Sequence, residues 1–543
     1  MHPYVVEEFT APEREILRRY FTNLDEPVFA LVNLPEVVKG ALFARYSRSA
    51  KSLRRLFLDE FVGDLDLEGD LTVDATVGLD RADELYQKVF FEYGDDSVAQ
   101  LGGVHLACEQ ASNVLTKVLE WGRLMSYLEQ STRYLAYDKR LGNGLYRYYR
   151  APEILESSYG ARYIGDMDRI FDTYGEMLLL MIDYFAKKFP KTAEDSDFAW
   201  RQAVRAKALD SVRGLLPASS MSNMGIYGSG QGYEQLLLRM RAHPLPEVRE
   251  YSELMLTELR KVIPSFLRRV DLPERGGEWS AYLEDSRGAT QTMLRELFGS
   301  VNVADNRDRV ALVEFDPAGE ERVLEAIAFS QSHLSHDEAR RGISGLSEAD
   351  KTAIMASYVG ERRNRRYKPG RAFEATSYRF EITSDYGAFR DLQRHRMLTV
   401  EWQPLTTNLG ADIPEPIVDA GLAERFQECL DRSAALYELL YDEFPLQAQY
   451  AVSLAFRIRY VLHMNAREAM HLIELRSGPQ GHPSYRRIAH ELHRQIREVA
   501  GHERIAGSMT HVDTSDVDLE RLAAERAAET ARQRRSQLTN EVG

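Results

Sequence analysis

Apolar residues recur every three or four positions along much of the chain, the spacing of a buried face on an α-helix. The longest such run predicts an amphipathic helix over Ser157–Phe189. The stretch from Lys51 to Tyr134 is expected to be mostly helical, and residues 1–50 read as a helical lead-in. Further helical patterns continue to about Val270. The first half of the chain is therefore expected to consist mainly of helices.

The apolar pattern stops after residue 270 and restarts near residue 308. Residues 309–316 predict a strand, which is followed by a helix from about Gly319 to Ser330. Residues 373–387 alternate well enough to be a second strand. Residues 451–478 predict one long helix or two abutting helices, stopped by Gly478 and Pro479. The expected fold class is α+β and rich in helices.

The order of landmarks is the same in both halves of the chain, which indicates a tandem duplication. Three pairs of segments superpose, with Arg123 on Arg396, Arg213 on Gln449, and Arg239 on Arg476. The predicted organisation is a first repeat over residues 1–270, a linker over 271–307, a second repeat over 308–510, and a charged helical tail over 511–543.

The composition restricts the partners of the protein. A net charge of −15 over 543 residues argues against a nucleic-acid coat or a membrane-surface binder, since each needs a broad cationic face. No signal peptide is visible in Met1–Phe9, and the strongest apolar run, Met177–Ile182, is too short to cross a bilayer. The two cysteines, Cys108 and Cys429, favour a reducing compartment and buried apolar roles. A cytoplasmic protein without a thiolate nucleophile is expected.

Two segments of the second half concentrate chemistry. Arg394-His395-Arg396 places two permanent cations around an imidazole, which suits a pyrophosphate or a reduced flavin ring, although such triplets are also common on surfaces. In "MNAREAMHLIELR", Arg467, His471 and Glu474 fall within one helical arc, while Asn465 and Arg476 share another. The simpler interpretation is an amphipathic helix with a solvated face. Small residues beside Asn465 would let a bulky ring approach the backbone.

One segment of the first half offers a hydroxyl, a guanidinium and a phenol together, at Glu129–Tyr134. Ser131 and Arg133, two positions apart in an extended loop, would project to the same side and could grip one phosphate. A surface loop with a salt-bridged arginine explains the same residues equally well.

Together these motifs resemble the flavin-dependent thymidylate synthases. The signature of that family runs Arg-His-Arg, two residues, Ser, one residue, Asn-Glu-x-Ser-x-Arg-Tyr, and a later helix carries Asn-x-Arg and Leu-Arg before a histidine. The second half supplies Arg394, His395, Arg396, Asn465, Arg467, Leu475, Arg476 and His482. The first half supplies Ser126, Glu129, Ser131, Arg133, Tyr134, Arg213, Arg239 and His243.

Each half lacks what the other keeps. The second half has Thr399, Glu401, Pro404, Thr406 and Thr407 in place of the Ser, Asn and Ser-x-Arg-Tyr positions. In the first half, Trp121-Gly122-Arg123 replaces Arg-His-Arg, and Ser229-Gly230-Gln231 replaces Asn-x-Arg. We therefore hypothesise one composite site between unlike halves. A homodimer of the chain would then form a pseudo-tetramer, because the resemblance implies a homotetramer for single modules.

The resemblance implies FAD as cofactor, with NADPH and methylenetetrahydrofolate as co-substrates, for reductive methylation of dUMP to dTMP. It implies that the cofactor is bound by Arg394, His395, Arg396, Asn465, Arg467, His471 and His482, the first three being also the catalytic candidates. It implies that dUMP or a related nucleotide is bound by Glu129, Ser131, Arg133, Arg213 and Arg476. No metal is expected.

One substitution weakens the expected activity. The family usually has glutamine three residues before the Arg-His-Arg triplet, where it serves the nucleotide, and this chain has Asp391. A carboxylate near a phosphate is electrostatically unfavourable. The alternative function is therefore a catalytically inactive flavin- or nucleotide-binding sensor or scaffold. A helical interaction protein with surface arginines is a further alternative.

Overall fold

In the computed structural model, residues 4–34, 36–62, 100, 102–193, 195–299 and 309–516 are described, with eight further positions between 519 and 530. The chain divides into two compact units. Unit 1 is formed by residues 1–175, 215–304 and 431–453, and unit 2 by residues 176–214, 305–430 and 454–543.

Unit 1 contains a four-stranded antiparallel sheet in the order β1-β2-β4-β3. Its strands are β1 (Val28–Leu31), β2 (Gly103–Ser112), β3 (Met125–Glu129) and β4 (Met221–Ser229). The ladder between β2 and β4 shifts register between Cys108 and Ala111, where Gln110 has a φ of 57°. This bulge adds an unpaired residue and bends the strand locally.

Nine helices begin in unit 1 among the described residues, and the end of a tenth enters from unit 2. They are α1 (Ala11–Leu17), α2 (Glu36–Tyr46), α3 (Leu53–Glu60), α4 (Asn113–Leu119), α5 (Pro152–Leu155), α6 (Gly160–Lys188), α8 (Gly230–Arg241), α9 (Pro246–Arg260), α10 (Glu278–Phe298) and, entering from unit 2, the end of α16 (Ala423–Tyr441). Ser and Thr side chains cap several of them; Ser229, for example, accepts from the backbone N–H of Gly232. The Ser229 cap explains why β4 ends at this residue and α8 begins with the next one.

The core of unit 1 includes a cluster of apolar side chains from its first helices and strands. Phe21 packs edge-on against Phe29 and Phe57, with ring centroids 5.6 and 5.3 Å away. The aromatic pairs add to the apolar area that the cluster removes from water. This cluster anchors α3 beside β1.

Unit 2 contains a second four-stranded antiparallel sheet, in the order β5-β6-β8-β7. Its strands are β5 (Val310–Phe315), β6 (Ser377–Asp385), β7 (Thr399–Trp402) and β8 (Arg457–Asn465). In β8 every second residue is buried, as expected for a strand with one face on a core. The two sheets have the same topology, because each pairs its strands in the same sequential order.

The remaining helices belong to unit 2. They are α7 (Asp197–Val212), α11 (Gly319–Gln331), α12 (His336–Ser344), α13 (Glu348–Val359), α14 (Tyr386–Leu392), α15 (Glu415–Asp419), the start of α16, α17 (Ala466–Arg476), α18 (Pro483–Glu498) and α19 (Glu503–Gly507). Helix α14 begins where Asp385 accepts from the N–H of Ala388, at 2.9 Å.

Each unit incorporates a segment from the other half of the chain. Helix α6 starts in unit 1 and ends in unit 2, so that residues 176–214, including α7, belong to unit 2. Helix α16 starts in unit 2 and ends in unit 1, which receives residues 431–453. The segment exchange therefore moves Arg213, from the first half of the sequence, into unit 2.

The predicted α+β class is confirmed by the helices and the two sheets. The helix predicted over Ser157–Phe189 is α6, and the strand and helix predicted after residue 308 are β5 and α11. In the predicted linker, residues 278–298 form α10, and residues 300–307 lie outside the described part. Most of the predicted tail also lies outside it.

Two helical predictions are wrong. The stretch from Lys51 to Tyr134 contains β2 and β3, and its residues 63–99 lie outside the described part. Strand β2 is buried on both faces over most of its length, so it lacks the alternation that indicates a strand. Residues 451–478 contain β8 before α17, and the apolar spacing of the strand runs into that of the helix without a Gly or Pro to separate them.

Among the described residues, every helix is too short or too polar to cross a membrane.

Candidate active site in unit 2

The site is organised at the junction between β8 and α17. Asn465 ends the strand and caps the helix, since its Oδ1 accepts from the backbone N–H of Glu468 at 2.9 Å. The cap fixes the first turn of α17 and directs Glu468 inward, where it is 7% exposed. Asn465 is thus the capping residue of the helix and does not belong to the helical arc that we predicted for it.

His395 lies between a carboxylate and a guanidinium. Its Nδ1 is 3.0 Å from Oε1 of Glu468, and its Nε2 is 3.0 Å from Nε of Arg476. Because arginine only donates, Nε2 accepts the Arg476 hydrogen bond and Nδ1 carries the proton that is donated to Glu468. This assignment rests on the hydrogen-bond geometry and fixes both the tautomer and the ring orientation.

The protonation states agree with that geometry. Burial and the charge of Arg476 lower the pKa of His395 to about 4, although the hydrogen bond to Glu468 acts in the opposite direction. Burial would raise the pKa of Glu468, but the hydrogen bonds from His395 and His471 outweigh it and lower that pKa to about 2. A neutral imidazole therefore donates to an ionised carboxylate at neutral pH.

His471 completes the group, with its Nδ1 at 3.3 Å from both carboxylate oxygens of Glu468. One ligand atom each of His395, Glu468 and His471 lie within 4.8 Å of one another, a spacing that could also suit a metal ion. A metal on Nδ1 of His395 would place the ring proton on Nε2, facing the N–H of Arg476. Arg476 therefore favours a hydrogen-bonded network over a metal centre.

Asp391 links Arg476 to Arg213. Its Oδ2 accepts from Nη1 of Arg213 at 3.3 Å, and its Oδ1 is 3.8 Å from Nη1 of Arg476. Arg213 is 4% exposed, and its Nη2 is 3.9 Å from Oδ1 of Asp385. A Cβ at Gly387 would lie 3.0 Å from the same Nη2, so the glycine leaves room for the guanidinium. Two acids thus face this arginine.

These contacts form one continuous polar chain, which we call the arginine–histidine chain. It runs through Arg213, Asp391, Arg476, His395, Glu468 and His471. It joins residues that the sequence assigned to the nucleotide with residues assigned to the cofactor. All six belong to unit 2 because the segment exchange brings in Arg213.

The remaining cationic candidates, Arg394, Arg396 and Arg467, are more exposed than Arg213. The side chain of Arg467 is 35% exposed, donates to the carbonyl of Pro369 at 3.0 Å and lies 3.6 Å from Glu374. Arg394 is half-buried, and its charge helps lower the pKa of Arg476, which burial lowers most. Arg396 is exposed. These three guanidinium groups are more accessible than Arg213 and are better placed to meet a ligand from solvent.

His482 has a structural contact of its own. Its side chain accepts from the N–H of Ser484 and so caps α18, and its Nε2 is 3.2 Å from the carbonyl oxygen of Asp210. The side chain is largely buried. The imidazole therefore ties α18 to the exchanged helix α7, on which Asp210 lies.

The predicted phosphate loop lies in unit 1. Oγ of Ser131 accepts from the N–H of Arg133 at 3.2 Å, a short local turn, and Arg133 is 9% exposed. Glu129, at the end of β3, lies 3.4 Å from Nζ of Lys117, and both are buried. Glu129 is thus the partner of a buried lysine.

The corresponding junction of unit 1, between β4 and α8, is surrounded by different side chains. Ladder register places Ser126 and Thr399 at equivalent positions of β3 and β7. Gly122 stands where unit 2 has His395, and its carbonyl accepts from the hydroxyl of Tyr127 at 3.1 Å. The guanidinium of Arg239 lies 4.8 Å over the ring of Trp121. Unit 1 therefore packs aromatic groups where unit 2 has its histidine.

The helix register corrects one superposition. Counted from the caps, Arg476 is the last of the 11 residues of α17, whereas Arg239 is the tenth of the 12 in α8. Arg239 therefore aligns with Leu475, one position from the alignment read from the sequence. A shift of one residue turns a side chain by about 100° around a helix.

Sequence reasoning missed Glu468, which is the centre of the network. The available signal was its position three residues after Asn465 and three before His471, where a helix first turn brings side chains together. Asp391 was recognised only as a departure. Its partner Arg213 is 178 residues earlier in the chain, and no local pattern links them.

The family described as thymidylate synthase complementing protein matches residues 45–265 and 311–501 of this chain. The match is therefore double, once in each half, and covers more than half of the sequence. It confirms the predicted tandem duplication and the predicted resemblance.

Relatives in other organisms match nearly the whole chain. A UPF0159 protein of Chlamydia muridarum is 40% identical over 525 residues, which are 95% of this chain and 98% of that protein. One from Chlamydia pneumoniae is 39% identical over 526 residues, with 96% and 98% covered. A UPF0159 protein of Thermoplasma acidophilum is 32% identical over 514 residues, with 90% and 97% covered.

A solved structure found by the comparison is a UMP/dUMP methylase of Streptomyces cacaoi bound with 5-Br dUMP. It is 16% identical, the alignment covers 38% of this chain and 97% of that one, and the TM-score is 0.30. A score this low carries no argument about this chain.

Proposed function

Because the chain belongs to the thymidylate synthase complementing protein family, we propose that it is a flavin-dependent thymidylate synthase that converts dUMP to dTMP, with its chemistry in unit 2. The observation that carries the proposal is the arginine–histidine chain, which connects the nucleotide-side and cofactor-side candidates within one unit.

The residues of unit 2 suit FAD. Arg394, Arg396 and Arg467 are accessible or half-accessible guanidinium groups, and such groups bind a pyrophosphate and an electron-rich ring well. His395 is held neutral in one tautomer, and its two hydrogen bonds fix the guanidinium of Arg476 beside it. When bound, the flavin supplies the hydride chemistry that protein side chains lack.

In the proposed reaction, a methylene carbon of methylenetetrahydrofolate replaces the C5 hydrogen of dUMP. That hydrogen leaves as a proton, and the two bonds from the methylene carbon to folate nitrogens break as tetrahydrofolate takes up two protons and leaves. A hydride that originates from NADPH then completes the methyl group. The protein acts by position and charge: Arg394, Arg396 and Arg467 hold the cofactor, and Glu468 locks His395. Arg213 and Arg476 bind the nucleotide in this proposal, and the nucleotide contacts assigned to Glu129, Ser131 and Arg133 of unit 1 stay a prediction.

A homodimer of the chain, working in the cytoplasm, is part of the same proposal. Sedimentation equilibrium of the purified protein tests the assembly. A monomer mass at all protein concentrations would contradict the dimer without bearing on the chemistry.

The first experiment is purification of the full chain. We expect yellow protein with an absorbance maximum at about 450 nm, the signature of bound oxidised flavin. Adding methylenetetrahydrofolate, NADPH and dUMP labelled with tritium at C5 should release tritium into water. Colourless protein that gains no colour when FAD is added would contradict the proposal.

Matched variants locate the activity. Arg396→Gln in unit 2 and Arg123→Gln in unit 1 change aligned positions of the two units. We expect Arg396→Gln to lose colour and tritium release and Arg123→Gln to keep both. Equal losses in the two variants would contradict a chemistry confined to unit 2.

A second candidate is a flavin- or nucleotide-binding sensor without turnover. Asp391 favours it, because this carboxylate already pairs with Arg213 and Arg476. Yellow protein that binds dUMP but releases no tritium would support the sensor.

A further inference from the structure

We propose that Asp391 determines the ligand specificity of unit 2, by acting as an internal anion that occupies Arg213 and Arg476 and discriminates against phosphate at this pair. The inference deepens the proposed function and rests on it only for the identity of the nucleotide.

The geometry makes Asp391 a competitor of any incoming anion. Its two carboxylate oxygens face different arginines, Oδ2 at 3.3 Å from Nη1 of Arg213 and Oδ1 at 3.8 Å from Nη1 of Arg476. A phosphate monoester recognised by the same two groups would bring about two negative charges close to that carboxylate. It would have to displace Asp391 or bear the repulsion.

The burial of the pair strengthens this competition. Arg213 is 4% exposed, and the side chains of Asp391 and Arg476 are 19% and 14% exposed. Water screens charges poorly at such sites, so the repulsion between an additional anion and the carboxylate of Asp391 is strong. A second acid, Asp385, lies 3.9 Å from Arg213, and burial raises the pKa of its carboxyl group.

Arg476 is held on two sides. Its Nε donates to His395 while its Nη1 faces Asp391, so moving the guanidinium toward a phosphate would also disturb the histidine. The pair is therefore fixed in a neutralised arrangement. A ligand is expected to meet it through uncharged groups, such as the carbonyl oxygens of a pyrimidine.

The test compares phosphate and nucleoside binding in three forms of the full chain. Asp391→Gln removes the charge, and Asp391→Glu keeps it. Isothermal titration calorimetry with inorganic phosphate, dUMP and deoxyuridine should show affinity for phosphate and dUMP rising about tenfold or more in Asp391→Gln. Deoxyuridine affinity should stay within about twofold, and Asp391→Glu should resemble the unchanged protein.

A double variant identifies the arginine that is responsible. Adding Arg476→Gln to Asp391→Gln should remove most of the gain in phosphate affinity, because the released guanidinium is then absent. Asp391→Asn is the replacement if Asp391→Gln fails to fold, as judged by circular dichroism.

Two outcomes overturn the inference: phosphate affinity that is the same with and without the carboxylate, or an equal gain in Asp391→Glu. A gain in phosphate affinity in protein that binds neither FAD nor dUMP would support the role of Asp391 and contradict the proposed function. The two claims can therefore fail separately.

Discussion

Each unit has a junction between a central strand and the following helix. The two junctions share their backbone arrangement and differ in the side chains that fill them. Strands β4 and β8 both have nine residues and end in a capping side chain, Ser229 or Asn465. Three residues later unit 1 has Gly232, whereas unit 2 has Glu468. The strand ladder and the cap maintain this backbone arrangement, so the polar residues can be lost without loss of the fold.

In unit 1 the same region is filled by apolar and aromatic packing. A Cβ on Gly232 would lie 3.3 Å from Cγ of Met125, and Arg239 stacks on Trp121. In unit 2 the same region holds a buried carboxylate and a histidine that are costly unless they are paired. Because burying this polar network costs free energy, its presence in unit 2 indicates function more strongly than the backbone arrangement that both units share.

The largest effect is expected from Glu468→Ala. It removes the acceptor of both His395 and His471, and breaking a buried charged network costs roughly 3–5 kcal/mol of unfolding free energy. Urea unfolding and flavin absorbance measure the two consequences. Glu468→Gln keeps an acceptor for His395 and should lose less. Unchanged stability and colour in Glu468→Ala would break the comparison.

The next largest effect is a pH dependence of the unfolding free energy that originates in unit 1. Glu247 in α9 accepts from Ser112 and from the hydroxyl of Tyr450, and burial raises its pKa from 4.5 to about 7. The unfolded chain releases this proton first as the pH rises, so the stability that Glu247 contributes is full below pH 4.5 and is lost as the pH rises to about 7, by about 3 kcal/mol.

Glu247→Gln should remove that slope and gain unfolding free energy at pH 8 relative to the unchanged protein. Urea unfolding at a series of pH values measures it. An unchanged slope between pH 4.5 and 7 would show that Glu247 is not its source.

Unit 2 should respond in the opposite direction. Burial lowers the pKa of His395 from 6.5 to about 4, so the unfolded chain takes up this proton first as the pH falls. The stability that His395 contributes is full above pH 6.5 and is lost toward pH 4, by roughly 2 kcal/mol at pH 5. His395→Gln should flatten this part of the profile, and a slope that stays the same would argue for another group.

The smallest effect is expected from Gly232→Ala. The added methyl group would contact Met125 at 3.3 Å, while alanine favours the helix, so stability should change by less than about 1 kcal/mol. Flavin absorbance should stay the same. A loss of flavin absorbance in Gly232→Ala would show that unit 1 takes part in cofactor binding. The two junctions would then not differ in function as proposed.

Local patterns predicted the helices with a clear apolar stripe, such as α6 and α11, because spacing along the chain reports directly on one buried face. They failed for β2, which is buried on both faces, and for β8, whose apolar residues continue into α17. Only the Asn465 cap marks that boundary, and an asparagine alone is a weak signal.

The candidate residues of unit 2 could be named from the sequence, but their connections could not. His395 and Arg476 were identified through the family resemblance and His471 through the helical arc that it shares with Arg467. Glu468, which contacts both histidines, belongs to neither pattern. The meeting of Arg213 with Asp391 depends on the segment exchange. Long-range contacts of this kind arise from topology.

The segment exchange also bears on how the gene can change. Because residues 176–214 complete unit 2 and residues 431–453 complete unit 1, cutting the chain between its halves leaves each fragment without a part of its own core. Deleting the repeat that has lost its histidine would take away the helix that delivers Arg213. Each copy therefore depends on the other for a complete core, and neither can be removed without damage to both.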